Sequence, residues 1–410
     1  MRYILQIVLF LFSLFVYASD IVVVSLAAGQ EYRKTVDRAI ENKARYCQLH
    51  DYQFVCGEQC LDATRPIQWT KVLILLAAMD VYPSSRWIFW TDADSMFMNL
   101  AYSLEDLIDD DYNLILNKDF TDFNTGEFFI RNCPWSRAFL EKVYAHTECI
   151  NHNWWEQKAI ILELEDPENL SKTKILPQRL LNSYPTELVS LLTSTYQTGD
   201  FILHFPSLRG LLDGLFDKYV PLVINDPQLM TLDYYLGVYG VQLTENEFSP
   251  KQKQKLMKRL QAHSDLKSIA LIGLESGHQC DLCFQLCPQL EKITAFDSSK
   301  PLPTQAAAEY FKRKYKDRFS FVEEDFSAQK NQFDLIVMNG KTTQEETLSE
   351  LINARSLAHK ESLIWIDNYH EEAVQKAVSS CIDSGLIAIE MVYQNGEEYS
   401  WIEARYRSLP

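Results

Sequence analysis

The sequence predicts two α/β units in tandem, on three observations. The chain has 410 residues, more than one ordinary domain holds. Short apolar, β-branched runs alternate along it with segments of helical periodicity, the pattern of a parallel sheet with crossover helices. The alternation breaks at a polar, charged stretch, Glu245 to Lys267, and then restarts. The expected organisation is a leader over 1–19, a first unit over 20–235, a connector with a helix over 236–266 and a second unit over 267–410.

The elements follow in order. Ile21 to Leu26 suits a buried strand, and Tyr32 to Leu49 carries Val36, Ala39, Ile40 and Cys47 at helical spacing. A short strand at Gln53 to Val55, a helix over Gln68 to Met79 and a strand at Trp87 to Trp90 complete a β-α-β-α-β series. Leu114 to Leu116 and Phe128 to Ile130 read as further strands, and Trp135 to Ala145 as a helix. In the connector, Ser249-Pro250 has the form of a helix cap and first turn. Beyond it, strands are expected at Ile269 to Ile272, Ile293 to Phe296, Phe319 to Glu323, Leu335 to Met338 and Leu363 to Ile366. Helices are expected around Gln305 to Tyr315 and Glu372 to Ser384.

Composition narrows the function classes. With 47% apolar and 23% charged residues, either half can bury a core. A formal net charge of −17 argues against a nucleic-acid partner, because Lys and Arg hold phosphate backbones. It leaves room for an anionic substrate held by a metal or by a few local cations. At the N-terminus, Arg2, an apolar run from Tyr3 to Val16 and the Val16-Tyr17-Ala18 segment describe a signal peptide or a short membrane anchor. Of the nine cysteines, Cys280, Cys283 and Cys287 fall on one helical spacing with no second ligand pair nearby, which reads as a core face.

Four local patterns carry chemistry. The apolar run Trp87-Ile88-Phe89-Trp90 ends in Asp92-Ala93-Asp94, two carboxylates at the edge where open α/β sheets bind ligands. Hard divalent cations take such oxygens and accept diphosphate oxygens as further ligands. Asn124-Thr125-Gly126 is a turn signal in which Gly126 lets the backbone approach a ligand. Trp154-Trp155-Glu156-Gln157 opens a helix and offers a surface for stacking a sugar face. His204 ends the apolar run from Phe201 and could complete an Asp/Asp/His metal site.

In this order Trp69 and Lys71, Trp87 to Asp94, Asn124-Thr125-Gly126 through Trp135, Glu156-Gln157 and His204-Phe205 resemble the GMA12/MNN10 galactosyl- and mannosyltransferase family. That family includes plant xyloglucan xylosyltransferases, and the resemblance covers roughly residues 20–220. It implies a GT-A (nucleotide-diphospho-sugar transferase) fold, a divalent metal, usually manganese, a nucleotide-sugar donor, a glycan acceptor and retention at the anomeric carbon. By residue, Asp92 would meet nucleotide and metal, while Asp94 and His204 would ligate the metal. Gln157 and Glu156 would sit at the reacting carbon. Asn124 and Gly126 would line the donor and acceptor cleft, and Lys71 or Arg209 would neutralise the departing diphosphate. The sequence departs from the family pattern at Glu156, where Asp is frequent, and at Pro206-Ser207-Leu208, where a Gly-Cys pair often follows the His-Phe.

In the second unit, Gly273 and Gly277 follow one strand and Asp297 ends the next. With Asp325, Asn339-Gly340 and Asp367-Asn368, they resemble class I S-adenosylmethionine-dependent methyltransferases, especially the small-molecule O-methyltransferase branch. The resemblance implies a second Rossmann-like domain in which Gly273 and Gly277 admit the cofactor and Asp297 binds its ribose hydroxyls. Leu271 and Asn339 stand where that group has acidic residues, so a cofactor-binding or packing domain without methyl transfer is also open. The combined expectation is a tandem glycan-modifying enzyme, placed in the Golgi of a eukaryote or on the membrane of a bacterium. The alternatives are a methyltransferase with a non-catalytic sugar-binding N-terminal half, and a lectin.

Overall fold

The computed structural model describes residues 19–188, 194–242, 250–263, 265–299, 301–323, 326, 329, 331–339, 343–394 and 400–407. The expected leader, apart from Ser19, lies outside the described residues, as do Ser249, Asp325 and Gly340. The chain divides after Leu229 into two compact units. Among the described residues, no helix is long and apolar enough to cross a membrane.

The first unit is built on a six-stranded sheet, ordered β2 (Gln53–Gly57), β1 (Ile21–Leu26), β3 (Trp87–Thr91), β6 (Phe123–Arg131), β5 (Leu114–Lys118), β7 (Thr173–Leu176). Strands β2, β1 and β3 are mutually parallel, whereas β6 runs antiparallel to both β3 and β5. Because side chains alternate across a strand, one face of β1 feeds a core. Val22 and Val24 join Ile88, Trp90, Phe128 and Ile130 against Val72 and Leu75 of the helix Thr70–Val81. That helix is apolar around most of its circumference, which suits its buried position. A separate cluster holds Ala39 and Ile40 of the helix Asp37–Leu49 together with Met96, Met98, Leu203 and Phe205.

Three features differ from the sequence reading. The helix expected over Tyr32 to Leu49 is two helices, Gln30–Thr35 and Asp37–Leu49, joined at the buried Val36. Asn124-Thr125-Gly126 is not a turn but part of the long strand β6. Tertiary pairing with β5, which sets Asn124 opposite Asn117, overrides the local turn preference of Asn and Gly. A two-stranded ribbon, β4 (Ser95–Phe97) with β8 (Ile202–His204), is antiparallel and pairs Ser95 with His204. This ribbon positions the candidate site.

The second unit has a seven-stranded sheet ordered β11 (Phe319–Val322), β10 (Lys292–Phe296), β9 (Ser268–Ile272), β12 (Phe333–Asn339), β13 (Ala358–Asp367), β15 (Ser400–Tyr406), β14 (Ile387–Gln394). The first five are parallel, and β15 is antiparallel to both of its neighbours. Strands β14 and β15 are absent from the sequence reading. Glu390, Glu403 and Arg405 interrupt their apolar pattern, and the ladder pairs Arg405 with Ala388. The helix Pro250–Ala262 is integral to this unit, since its buried Arg259 pairs with Asp367 at 3.1 Å. Cys280, Cys283 and Cys287 are free and buried, and burial pushes each thiol up, as suits core residues.

Candidate active site

Strand β3 ends at Thr91, so Asp92 and Asp94 lie in the link to β4, at the edge of the sheet. The backbone fixes both. Asp92 N–H donates to Gly126 O at 2.8 Å, and Phe205 N–H donates to Asp94 O at 2.9 Å. Trp90 Nε1–H also donates to Asp92 Oδ1, at 2.7 Å. His204 Nε2 lies 3.4 Å from Asp94 Oδ1 and 3.8 Å from Asp92 Oδ2. One ligand atom from each of the three residues falls within 4.8 Å of the other two.

Gly126 is required here by the imidazole. A Cβ at this position would stand 2.5 Å from His204 Cε1 and 2.7 Å from Nδ1. Gly126 thus packs against His204 and also lines the cleft beside it.

Behind the imidazole stands a buried polar set that the sequence reading did not single out. His204 Nδ1 lies 3.1 Å from Asn182 Oδ1 and 3.3 Å from Glu127 Oε2. Asn182 Oδ1 accepts the hydrogen bond and Glu127 stands by as a charge partner, so Nδ1 carries a proton and Nε2 faces the two aspartates. Burial would lower the His204 pKa, but Glu127, Asp94 and Asp92 outweigh it and raise it to about 9. Burial pushes the Glu127 carboxyl up to about 7, against the pull of His204 and Lys43. Lys43, fully buried, is drawn down to about 8 by burial despite Glu127 and Asp94, and its ammonium donates to Ser95 O. Nothing local in the sequence marks Lys43 or Asn182, because each reaches the site through tertiary packing.

Lys71 rises from the helix Thr70–Val81 into the same region. Its Nζ lies 2.8 Å from Glu156 Oε1 and 3.3 Å from Asp92 Oδ1, and donates to Thr125 O at 3.0 Å. Burial would lower its pKa, yet Asp92 and Glu156 more than offset this and raise it. Burial pushes the Glu156 carboxyl up, partly countered by Lys71. Gln157 Oε1 accepts from Thr125 N–H and Oγ1–H at 3.1 and 3.2 Å, directing the other end of its amide away from β6. Just before this pair, Trp155 has φ of +39°, a strained value for a bulky residue and one typical of functional sites.

A cleft of about 780 Å³ gathers these groups. Lys71, Asp92, Asp94, Asn124, Gly126, Glu156, Gln157, His204 and Arg209, all singled out from sequence, line it. Arg209 reaches it from the side, with its guanidinium 4.8 Å above the Tyr32 ring. The Asn124 amide is engaged internally: Nδ2 donates to Asp119 Oδ2 and Tyr184 OH, both at 2.9 Å, and Oδ1 accepts from Gly126 N–H. Asp119 and Tyr184 also line the cleft and went unmarked in the sequence reading.

In the second unit, Gly273 has φ of +89° and open space where a Cβ would stand, apart from Asn339 Nδ2 at 3.7 Å. Asp297 Oδ2 accepts from Leu274 N–H at 3.2 Å, and Oδ1 accepts from Ser299 N–H and Oγ–H. Asp297 thus holds the glycine turn. At Gly277, with φ of +81°, a Cβ would lie 2.6 Å from the Phe311 ring and 2.9 Å from Ala307 Cβ. It therefore packs closely on the helix Leu302–Tyr315.

Comparison with known proteins agrees with this geometry. The model of the galactosyl transferase GMA12/MNN10 family matches residues 17–114 and 108–207. Galactomannan galactosyltransferase 1 of Cyamopsis tetragonoloba is 32% identical over 113 residues, 25% of this chain and 26% of that protein. A probable xyloglucan 6-xylosyltransferase 1 of Oryza sativa subsp. indica is 33% identical over 113 residues, 25% of each chain. The matched segment is thus about a quarter of these curated relatives. Among solved structures, a glycosyltransferase involved in glycosylation of the major capsid of PBCV-1 is 17% identical, with a TM-score of 0.41, covering 48% of this chain and 98% of its own. An O-methyltransferase from Bacillus cereus is 16% identical, with a TM-score of 0.36, covering 47% and 97%. Residues 17–207, which contain every residue of the Asp92, Asp94 and His204 cluster, match the model of the galactosyl transferase GMA12/MNN10 family.

Proposed function

We propose that the first unit is a metal-dependent, retaining glycosyltransferase that moves a hexose or pentose from a nucleotide-diphosphate sugar to a glycan acceptor. The observation that carries this reading is the convergence of Asp92, Asp94 and His204 Nε2 beside Lys71 in one cleft. Two carboxylate oxygens and an imidazole nitrogen suit manganese or another divalent cation. When bound, that cation would supply positive charge for the departing nucleoside diphosphate. Lys71 adds a fixed ammonium at the same place, in surroundings from which water is largely excluded. Glu156 is engaged with Lys71 and orients it. This engagement favours a front-face displacement over a covalent intermediate on Glu156, with Gln157 holding the sugar. Equal similarity to a galactosyl- and a xylosyltransferase leaves both donor sugars in the substrate class.

For the second unit we propose a nucleoside-cofactor site at the Gly273 turn and Asp297, with S-adenosylmethionine as the cofactor that the resemblance implies. The strand order and the open space at Gly273 support it. Equilibrium dialysis with S-adenosylmethionine, against Asp297→Ala, tests this. The leader over 1–19 would direct the protein to a Golgi-type or membrane-associated location.

The test of the main reading is hydrolysis and transfer from UDP- and GDP-sugars with manganese, with EDTA and with Asp94→Ala. Metal-dependent release of the nucleoside diphosphate, lost in the variant, is expected. Glycan binding with no turnover of any donor would overturn the reading and leave a lectin.

A further inference from the structure

Among the described residues, the first unit has two exposed aromatic side chains, Phe120 at 63% and Trp154 at 38%. Both line the same cleft. The aromatic rings of this unit are otherwise drawn into its cores or partly covered. An aromatic ring left in water forgoes the gain from burial, and two on one cleft point to a ligand with apolar faces.

Neither ring is on a loose tip. Phe120 sits in a turn closed by Asp119 N–H donating to Asp122 O at 2.9 Å. Asp119 Oδ1 accepts from Thr121 N–H and Oγ1–H at 2.7 and 2.6 Å, while Oδ2 accepts from Tyr184 OH at 2.7 Å and from Asn124. Trp154 N–H donates to His152 Nδ1 at 3.1 Å, and Trp155 behind it holds its strained φ. Rigid presentation of this kind lowers the entropy lost on binding.

Topology says which part of a substrate the rings meet. Asp92 follows β3, at the middle of the sheet. Ala28 and Tyr32 follow β1 on one side of it, whereas Phe120 follows β5, beyond β6 on the other side. With the diphosphate at Asp92, Asp94 and Lys71, the nucleoside has room toward β1 and the acceptor toward β5. The geometry points to Phe120 and Trp154 as the acceptor platform, stacking on pyranose faces of an oligosaccharide longer than one sugar. Asn153 and Thr121 stand in the same cleft to take sugar hydroxyls. This assignment rests on the glycosyltransferase reading for its orientation, but not for its ligand class.

The test uses the full chain and its Phe120→Ala and Trp154→Ala variants. Affinity for manno- and cello-hexaose, for the matching disaccharides and for UDP with manganese is measured by calorimetry. Each variant should weaken hexasaccharide binding about tenfold and disaccharide binding less, with Trp154→Phe recovering most of the loss. Where turnover is present, the loss should appear in the acceptor KM more than in kcat. Unaltered hexasaccharide affinity would overturn the assignment, as would a tenfold loss confined to UDP, which would give the rings to the nucleobase. A wild-type chain that binds hexasaccharide through these rings but turns over no donor would refute the enzyme reading and leave the platform standing.

Discussion

Glu127 Oε2 lies 3.3 Å from His204 Nδ1, on the opposite edge of the imidazole from the Nε2 that faces Asp94. A carboxylate held against the far nitrogen of a ligand histidine fixes its tautomer and orientation and raises its basicity. Glu127 is fully buried and β6 delivers it directly after Gly126, so it has no freedom to serve elsewhere. Glu127→Ala should weaken manganese binding on the order of 10- to 100-fold. Glu127→Gln, which keeps an acceptor oxygen, should lose less. Manganese titration followed by electron paramagnetic resonance reads this without any substrate, and circular dichroism confirms that the variants fold.

Gly126→Ala makes a separate prediction. A methyl group at this position would stand 2.5 Å from His204 Cε1, within a packed interior. Overpacking of this kind costs about 1–3 kcal/mol and would displace the ring from Asp92 and Asp94. Gly210→Ala is the control, since nothing lies within 4 Å of its Cβ and its φ is not positive. Chemical denaturation should separate the two by roughly the stated amount, and manganese affinity should fall in Gly126→Ala alone. Equal metal affinity in the two variants would show that the ring tolerates the shift.

Much of the fold was legible in the sequence because β1, β3, β9 and β12 are continuous apolar runs. Buried parallel strands give that signal whatever their partners. The candidate site was legible where chemistry and strand ends coincide, at Asp92, Asp94 and His204. What stayed hidden depends on pairing between distant segments. Asn124-Thr125-Gly126 reads as a turn locally and becomes strand only through its pairing with β5. Lys43 looks like a solvated helix residue until its helix packs beneath β4, where its ammonium meets Ser95 O. Glu127 was in plain view within a motif, but its role depends on where the His204 ring comes to rest.

His146 offers a pH test away from the cleft. Its Nε2 lies 2.8 Å from Glu163 Oε1, and its Nδ1 contacts Glu148. Burial would lower its pKa, but hydrogen bonds to Glu148 and Glu163 outweigh it and raise it. A histidine raised on folding contributes stability that is fully present below its unfolded pKa of about 6.5 and is lost as pH rises through the folded value. Thermal unfolding from pH 5.5 to 9 should therefore show a His146-dependent decline above about pH 6.5. In His146→Gln that component should flatten, and an identical pH profile in the variant would refute the linkage.

The Lys71 and Glu156 pair tests whether this region is held together by charge. Both side chains are nearly inaccessible, and Lys71 Nζ bridges Glu156 Oε1 at 2.8 Å and Asp92 Oδ1 at 3.3 Å. Removing one partner of a buried pair strands the other, typically at a cost of about 3–5 kcal/mol. Lys71→Met should approach that figure, since it leaves the Glu156 carboxylate without its cation, a penalty eased by the carboxyl taking up a proton. Glu156→Gln should destabilise less, because Asp92 and Thr125 O still hold Lys71. The double variant Lys71→Met/Glu156→Gln should then recover part of the Lys71→Met loss, a coupling that a denaturation cycle reads directly. Additive losses would mean that the two side chains fold independently. In that case the Lys71→Met loss would come from its contacts with Asp92 and Thr125 O and not from Glu156.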